Sequence, residues 1–433
     1  MNLLQELKWR GLIESDSSSI GDLNKLLNKE QTTFYVGTDP TGKSLHIGHL
    51  LAFIVARLLQ QHGHKPIVLV GGATAALGDP SFKDAERKLL PMEVIRENAD
   101  NIKKQVSHLI DFESDAPNAA IMVNNYDWMG GMGFLDFVRD IGKLITVNYM
   151  MAKESVQKRL SNGNGLSFTE FTYQLLQGYD FMVLNKQYGC KMQIGGSDQF
   201  GNATTGLKML KQSGVNADEC GVMTWPLVTR ADGTKFGKSE GGKNIWLDPT
   251  MTSPYEFYQF WLNQSDSDAE KFIKMFTLLD VSTIESLIAA HREAPHLRKL
   301  QKALAYEVTK MVHSVEDASF AIEASNALYD KNATIETFQK FNKDTIASIF
   351  EGVPHYEVSA SFLETKPNII DFMAEIKFAS SKGEARRDIK NGAYSLNKAK
   401  VLSDKMVVTT DDVICGQHII LQKGKKYSLV TVQ

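Results

Sequence analysis

Residues 33 to 37, TFYVG, and 67 to 72, IVLVGG, are short apolar runs ending in glycine, and each stands beside a helical pattern rich in leucine or charge. That alternation predicts strands of a parallel α/β sheet covered by helices. Between the two runs, LLAFIVARLLQQ predicts a strongly apolar helix beginning just after the letters HIGH at 46 to 49. Further buried strands are expected at AAIMVNN, 119 to 125, and at KMQIGG, 191 to 196. The first residues, MNLLQELKWRGLIE, read as a helix with Leu3, Leu4 and Leu7 on one side. From 128 to 165 the chain is rich in Met, Gly and Lys with mixed helical periodicity, which reads as an insertion that packs on a partner. From about 250 to 350 the pattern is helical throughout, whereas HYEVSASFLETKPN, 355 to 368, breaks the periodicity and reads as a linker.

A length of 433 residues exceeds what one compact core organises, so two or three domains are expected. Apolar residues make up 43% and charged residues 23%, the balance of a soluble globular protein. The longest apolar runs, such as IVLVGGATAAL, are broken by glycine well short of a bilayer span, so no membrane partner is expected. The amino terminus has no apolar core followed by a small-residue cleavage site. Cys190, Cys220 and Cys415 form no C-x-x-C pair, which supports neither a disulfide framework nor a zinc site and fits a reducing cytoplasm. The net charge of -3 conceals an asymmetry: from Asp371 onward 11 Lys/Arg stand against 7 Asp/Glu, or +4, leaving -7 for the rest. Such a tail suits an acidic polymer.

Residues 37 to 44, GTDPTGKS, satisfy the G-x-x-x-x-G-K-[ST] pattern of a phosphate-cradling P-loop. A P-loop wraps an anion in consecutive backbone N–H groups. Asp39 would put a carboxylate inside that wrap, and Pro40 removes one donor. The nearest second strand, IVLV, runs into Gly71 and Gly72 where a magnesium-binding Asp is needed. His46 and His49 offer a different site: their spacing puts both imidazoles on one face of a first helical turn, and Gly48 between them lets a ligand approach the backbone. They follow a strand whose carboxyl end is where open α/β sheets bind ligands.

YVGTDPTGKSLHIGHL resembles the HIGH signature of class I aminoacyl-tRNA synthetases, and KFGKS at 235 to 239 resembles their KMSKS loop. Two signatures in this order, about 190 residues apart, are far more specific than either alone and decide against the P-loop. GGATAALGDPSFKDAER, FTYQLLQGYDF and QIGGSDQFGN resemble the bacterial-type tyrosyl-tRNA synthetases, over almost the whole chain. The resemblance implies a Rossmann-type parallel-sheet catalytic domain at 1–228, with the 128–165 insertion at a homodimer interface. It further implies a KMSKS-type loop and α-helical domain at 229–350, a linker at 351–370 and a small α+β RNA-binding domain at 371–433.

Within FTYQLLQGYDF, Tyr173, Gln177 and Asp180 fall on one helix face among apolar neighbours, an expensive polar line unless it meets a ligand. By resemblance, Tyr35 and Asp180 hold the phenolic hydroxyl of substrate tyrosine. Asp79, Tyr173 and Gln177 surround its ammonium group, Gln199 reaches its carboxylate, and Asn124 and Gln193 support the pocket. For ATP, the resemblance assigns Gly37, Asp39, Gly48 and Gly196 to the nucleotide site and Asp198 to the ribose hydroxyls. Thr41 and His46 contact the γ-phosphate and His49 lies nearer the ribose, while Lys83, Arg87, Lys235 and Lys238 gather the leaving pyrophosphate. Phe200 stands where this family commonly has tryptophan, and Lys243 adds a residue in EGGKNIWLD, departures that bear on local loop shape.

A carboxylate is already an anion near neutral pH, so its attack on the α-phosphate of ATP needs no general base, in keeping with the absence of a nucleophilic Ser or Cys motif. The expected partners are L-tyrosine, ATP with an accompanying magnesium ion, and tRNA(Tyr), with no metal site of the protein's own. In the tail, Arg386, Arg387 and Lys390 share a helical face ahead of a turn at Asn391-Gly392 and a strand, AYSLN, resembling a small RNA-binding domain of ribosomal and RNA-modifying proteins. Two alternatives remain open at this point: a tryptophanyl-tRNA synthetase, which shares fold and signatures but has no use for Tyr35 with Asp180, and a non-catalytic RNA-binding paralogue, in which the intact histidines and lysines would be unexplained.

Overall fold

The computed structural model describes residues 1–14, 20–79, 90–162, 165–234, 236–237, 242–327, 333–350, 353–424 and 426–433. The chain forms two compact units, one of Met1–Thr252 with Gln259–His313, the other of Ser253–Tyr258 with Ser314–Gln433.

The first unit is built on five parallel strands, β1 (Thr33–Thr38), β2 (Lys65–Val70), β3 (Ile121–Asn124), β4 (Met192–Gly196) and β5 (Gly221–Trp225), in the order β3-β2-β1-β4-β5. Four match the expected apolar runs. β5 carries no sequence signal beyond five residues before a proline, yet every one of them is buried. Helices cover both faces, so Phe34, Tyr35 and Val36 are all buried and the strands show no polar alternation. The order reverses between β1 and β4, and all carboxyl ends lie on one edge.

Two helices place side chains at that edge. The Ile47–Gln61 helix starts inside the HIGH letters, earlier than the apolar run suggests, because His46 is its N-cap. His46 Nδ1 accepts the Gly48 N–H at 3.0 Å and His49 Nδ1 accepts the His46 N–H at 3.3 Å, so two imidazoles do the work usually done by Ser and Glu. The Phe168–Tyr188 helix packs against Phe200–Gln212 where Gly178 meets Gly206, and a Cβ on Gly206 would come within 3.1 Å of Phe181. That close approach holds Tyr173, Gln177 and Asp180 beside β1 and β4.

The insertion folds as short helical segments, among them Tyr126–Met129, Phe137–Ile141, Val147–Met151 and Glu154–Ser161. Its inner residues Ile141, Ile145 and Met150 pack on Leu175 and Met209, while Phe134 (68%), Leu135 (79%) and Val147 (62%) are exposed. The helices Asp266–Phe276, Val281–Glu293 and Lys299–Val312 complete the unit. The described part of the KFGKS stretch is anchored by Phe236, whose ring lies 4.7 Å from Phe272 and 5.2 Å from Phe276.

The second unit combines helices such as Val315–Ala327 and Lys343–Ile349 with a sheet of β6 (His355–Val358), β7 (Tyr394–Leu396), β8 (Ala399–Lys400), β9 (His418–Lys423) and β10 (Lys426–Val432). The order is β6-β10-β9-β7-β8, with β6 parallel to β10 and the other pairs antiparallel. Here the structure differs from the linker expected at 355–368. His355–Val358 pairs with Leu429–Val432, and Val358 and Leu363 enter a core with Phe372, Ile419 and Val430. A four-residue edge strand whose partner lies some 70 residues onward leaves no local periodicity to read.

Candidate active site

A cleft of about 370 Å³ opens at the carboxyl ends of β1 and β4, at the reversal of strand order where such sheets bind ligands. Its closed end is polar and buried. Tyr35, from the middle of β1, is 1% exposed, and its hydroxyl makes no hydrogen bond within the protein. Asp180, 2% exposed, accepts from Trp128 Nε1 at 2.9 Å through Oδ1 and from Asn125 Nδ2 at 3.2 Å through Oδ2. Burial pushes the Asp180 carboxyl up to about 8, against those two hydrogen bonds and with Asp39 adding repulsion. Burial, reinforced by Asp180, likewise lifts the Tyr35 phenol well above its ordinary range. Gln193 on β4 is also buried, and its Oε1 has no partner. Two buried polar groups without partners in one cleft are places for a ligand to satisfy.

The middle of the cleft is anionic. Asp39, just past β1, accepts from Thr74 Oγ1 at 2.7 Å and from the Tyr173 hydroxyl at 2.8 Å. Asp79 Oδ2 accepts from Gln199 Nε2 at 2.8 Å, and Gln177 Oε1 accepts from Asn202 Nδ2 at 3.0 Å. Burial, with Asp39 and Asp79 close by, raises the Tyr173 phenol well above its usual range, which keeps it a neutral donor. Two carboxylates around a neutral phenol suit a cationic group.

The open end is lined by Gly37, Thr41, Gly48 and His49 on one side and by Gly196 and Asp198 on the other. His46 stands just behind this lining, its ring stacked on His49 at 3.9 Å. Because Nδ1 of His46 accepts a backbone N–H, the neutral ring carries its proton on Nε2, and burial lowers its affinity for a second proton. The ring is therefore a neutral donor. Gly48 serves this cap, since a Cβ there would stand 2.8 Å from His46 Cε1. Lys43 is exposed, and the buried Ser44 hydroxyl donates to Leu45 O and accepts from Asp248 N, so neither belongs to a phosphate wrap.

Of the residues singled out from the sequence, Asn124 stands apart from the cleft lining: its Oδ1 accepts the Tyr126 N–H at 2.9 Å. Its neighbour Asn125 reaches Asp180 instead. Asn125, Trp128 and Thr74, which hold the two carboxylates, carry no motif of their own and were legible only through their adjacency to Asn124 and to GGATAALGD. Lys83, Arg87, Lys235 and Lys238 lie outside the described residues. In the second unit, the Lys382–Lys390 helix buries Ala385 and Ile389 and exposes Arg386, Arg387 and Lys390, whereas Lys423 is held by Glu384 and Asp388. Among the described residues no group of three or more His, Cys, Asp or Glu could hold a metal ion, and no helix is long and apolar enough to cross a membrane.

Residues 27–330 match the family model of class I tRNA synthetases (W and Y), and residues 345–430 match the SYY-like C-terminal domain of tyrosine–tRNA ligase. The chain is 54% identical over 429 residues to a tyrosine–tRNA ligase of Bacteroides thetaiotaomicron, covering 98% of each. It is 52% identical over 437 residues to one of Porphyromonas gingivalis, covering 100% of each. Among solved structures it resembles a C-terminally truncated mitochondrial tyrosyl-tRNA synthetase of Coccidioides posadasii, with a TM-score of 0.64 and 31% identity over 74% of this chain and 91% of that one. The tryptophan alternative shares the first family model but not these full-length matches, which favour tyrosine. Signatures, cleft and relatives converge: the chain belongs to the tyrosine–tRNA ligase family of class I tRNA synthetases.

Proposed function

We infer that the chain joins L-tyrosine to ATP as tyrosyl-adenylate, with release of pyrophosphate, and then passes the tyrosyl group to the 3′ end of tRNA(Tyr). The observation that carries the tyrosine reading is the closed end of the cleft, where the unpaired Tyr35 hydroxyl and the Asp180 carboxylate offer a donor and an acceptor to one phenolic OH. Phenylalanine would leave the buried Tyr35 hydroxyl without a partner and offer Asp180 nothing beyond the two donors it already has. The ammonium group falls to Asp79, Tyr173 and Gln177, with Asp39 orienting Tyr173 from behind. Gln199 turns toward the substrate carboxylate, and Gln193, with its free Oε1, supports the ring end of the pocket.

On the nucleotide side, Asp198 accepts the ribose hydroxyls, Gly37, Gly48 and Gly196 give backbone approach, and Thr41 and His46 donate to the γ-phosphate while His49 lies nearer the ribose. A neutral Nε2–H donor suits a phosphate whose charge grows in the transition state, because it needs no reorganisation when the reaction begins. Lys83, Arg87, Lys235 and Lys238 gather the pyrophosphate. Magnesium enters with ATP as part of that substrate, held by phosphate and water. The protein supplies orientation and charge stabilisation, and the substrate carboxylate is its own nucleophile.

Arg386, Arg387 and Lys390 contact tRNA phosphates. The protein acts in the cytoplasm as a homodimer through the insertion, which leaves Phe134, Leu135 and Val147 exposed, with Phe134 and Val147 lining one apolar depression. A screen of all twenty amino acids for dependent exchange of pyrophosphate into ATP tests the reading: tyrosine alone should support exchange, and exchange with tryptophan in its place would overturn it.

A further inference from the structure

The stretch that follows KFGKS returns to the HIGH segment. Ile47 N donates to Ile245 O at 3.0 Å and Leu247 N donates to Leu45 O at 2.8 Å, so His46 and Trp246 face each other in an antiparallel bridge. Asp248 N adds a bond to Ser44 Oγ at 3.1 Å, and Trp246 N is fixed by Thr252 Oγ1 at 3.0 Å. Side chains continue the link, for the Trp246 indole lies 5.9 Å from the His46 imidazole at 59°, a tilted aromatic pair. His46 is thus held between two rings, His49 at 3.9 Å and Trp246 at 5.9 Å, and neither contact involves a substrate. A histidine that must present one nitrogen to a phosphate needs its χ angles fixed beforehand, because a misplacement of about 1 Å can cost on the order of a hundredfold in rate.

We propose that Trp246 is a positioning residue for adenylate formation: packed on the His46 ring and seated by the bridge to residues 45–47, its indole holds His46 with Nδ1 on the Gly48 N–H and the Nε2 proton free for the phosphate. The arrangement ties the segment after one signature to the working side chain of the other. The proposal rests on the reading that His46 acts on the phosphates. Among the described residues, the titratable groups closest along the chain segments around His46 are His49 on its own helix, Lys43 ahead of that helix, and Lys243 and Asp248 on the returning segment, with the Asp248 Oδ1 already taken by Thr250 N and Oγ1.

The test compares Trp246→Leu, Trp246→Phe and His46→Ala in full-length protein by tyrosine-dependent ATP–pyrophosphate exchange across pH. Neither Trp246 variant removes the backbone bridge. Trp246→Leu should lower kcat about tenfold or more with KM for tyrosine nearly unchanged. It should also move the acid limb of kcat to higher pH, since water reaching the imidazole eases its protonation. Trp246→Phe, which keeps a ring, should restore most of kcat and the wild-type limb. A Trp246→Leu variant with wild-type kcat and limb, beside an impaired His46→Ala, would overturn the proposal and leave the functional reading standing. A fully active His46→Ala would overturn the functional reading itself. A loss in Trp246→Leu that tracks Tm, with the acid limb unmoved, would assign Trp246 to folding alone and also overturn the proposal.

Discussion

Asp180 is a carboxyl group sealed inside the protein and held by two donors, with a titration point near 8 because burial outweighs those donors. Its value in the unfolded chain is near 3.9. The folded state therefore binds the proton more tightly, and its contribution to stability is full below about pH 4 and is lost as pH rises toward 8. Asp180→Asn should accordingly flatten the fall of Tm between pH 5 and 8, and identical Tm-versus-pH curves for variant and parent would refute this. Function runs the other way, since the carboxylate accepts from the substrate phenol more strongly than the neutral acid does. The KM for tyrosine should fall as pH rises from 6 to 8, and this dependence should vanish in Asp180→Asn. Tyr35 makes a contrasting case: its hydroxyl has no internal partner, so Tyr35→Phe should leave Tm unchanged or higher. It should weaken tyrosine binding by about 0.5 to 1.5 kcal/mol, the scale of one uncharged hydrogen bond. The preference for tyrosine over phenylalanine, measured as a ratio of kcat/KM, should shrink in step.

Elements set where these residues stand. The line Tyr173, Gln177, Asp180 is useful only because its helix lies against Phe200–Gln212 at glycine distance, with Gly178 and Gly206 in contact. Gly206→Val would drive a branched side chain into Phe181 and should destabilise the protein by roughly 2 kcal/mol in urea unfolding. It should also raise the KM for tyrosine, because Gln177 and Asp180 move with the helix. Unchanged tyrosine binding in a destabilised variant would show that the pocket does not depend on this crossing. The loop before the Ile47–Gln61 helix is pinned differently: Asn98 Nδ2 donates to Pro40 O at 3.1 Å, and Gln105 Oε1 accepts from Leu45 N at 2.9 Å. Lys43 points out of this clasp, so Lys43→Ala should leave exchange near wild type, the opposite of what a P-loop lysine would do.

At the scale of the molecule, the proposed tRNA surface lies on the Lys382–Lys390 helix and the proposed dimer face on the insertion, which begins beside Trp128. Replacing Arg386, Arg387 and Lys390 with alanine should weaken tRNA binding and make its salt dependence shallower, by up to about 0.9 in log–log slope per lost phosphate contact. Exchange of pyrophosphate should not change. Truncation before this region is a poorer test, because a stop at Lys366 removes β10 and leaves β6 without its partner. Phe134→Glu, at a 68% exposed apolar position, should shift sedimentation from dimer to monomer, and an unaltered dimer would place the interface elsewhere.

The amino-acid sequence by itself determined what local chemistry can write. Three glycine-ended apolar runs and AAIMVNN marked four of the five strands of the first sheet, and YVGTDPTGKSLHIGHL, FTYQLLQGYDF and QIGGSDQFGN hold most of the residues that line the cleft. The strands are short-range signals carried by period and residue type, whereas the cleft residues were marked by motifs that resemble a family's. Tertiary structure alone decided what depends on pairing across long separations. It made a sheet strand of residues expected to be a linker, through a partner some 70 positions away. It chose Asn125 over Asn124 for Asp180, since the strand ends between them and their side chains part company. It also bound Trp246 to His46, 200 positions earlier, because a backbone bridge needs only complementary N–H and C=O groups, which every residue but proline carries and no pattern of side chains announces.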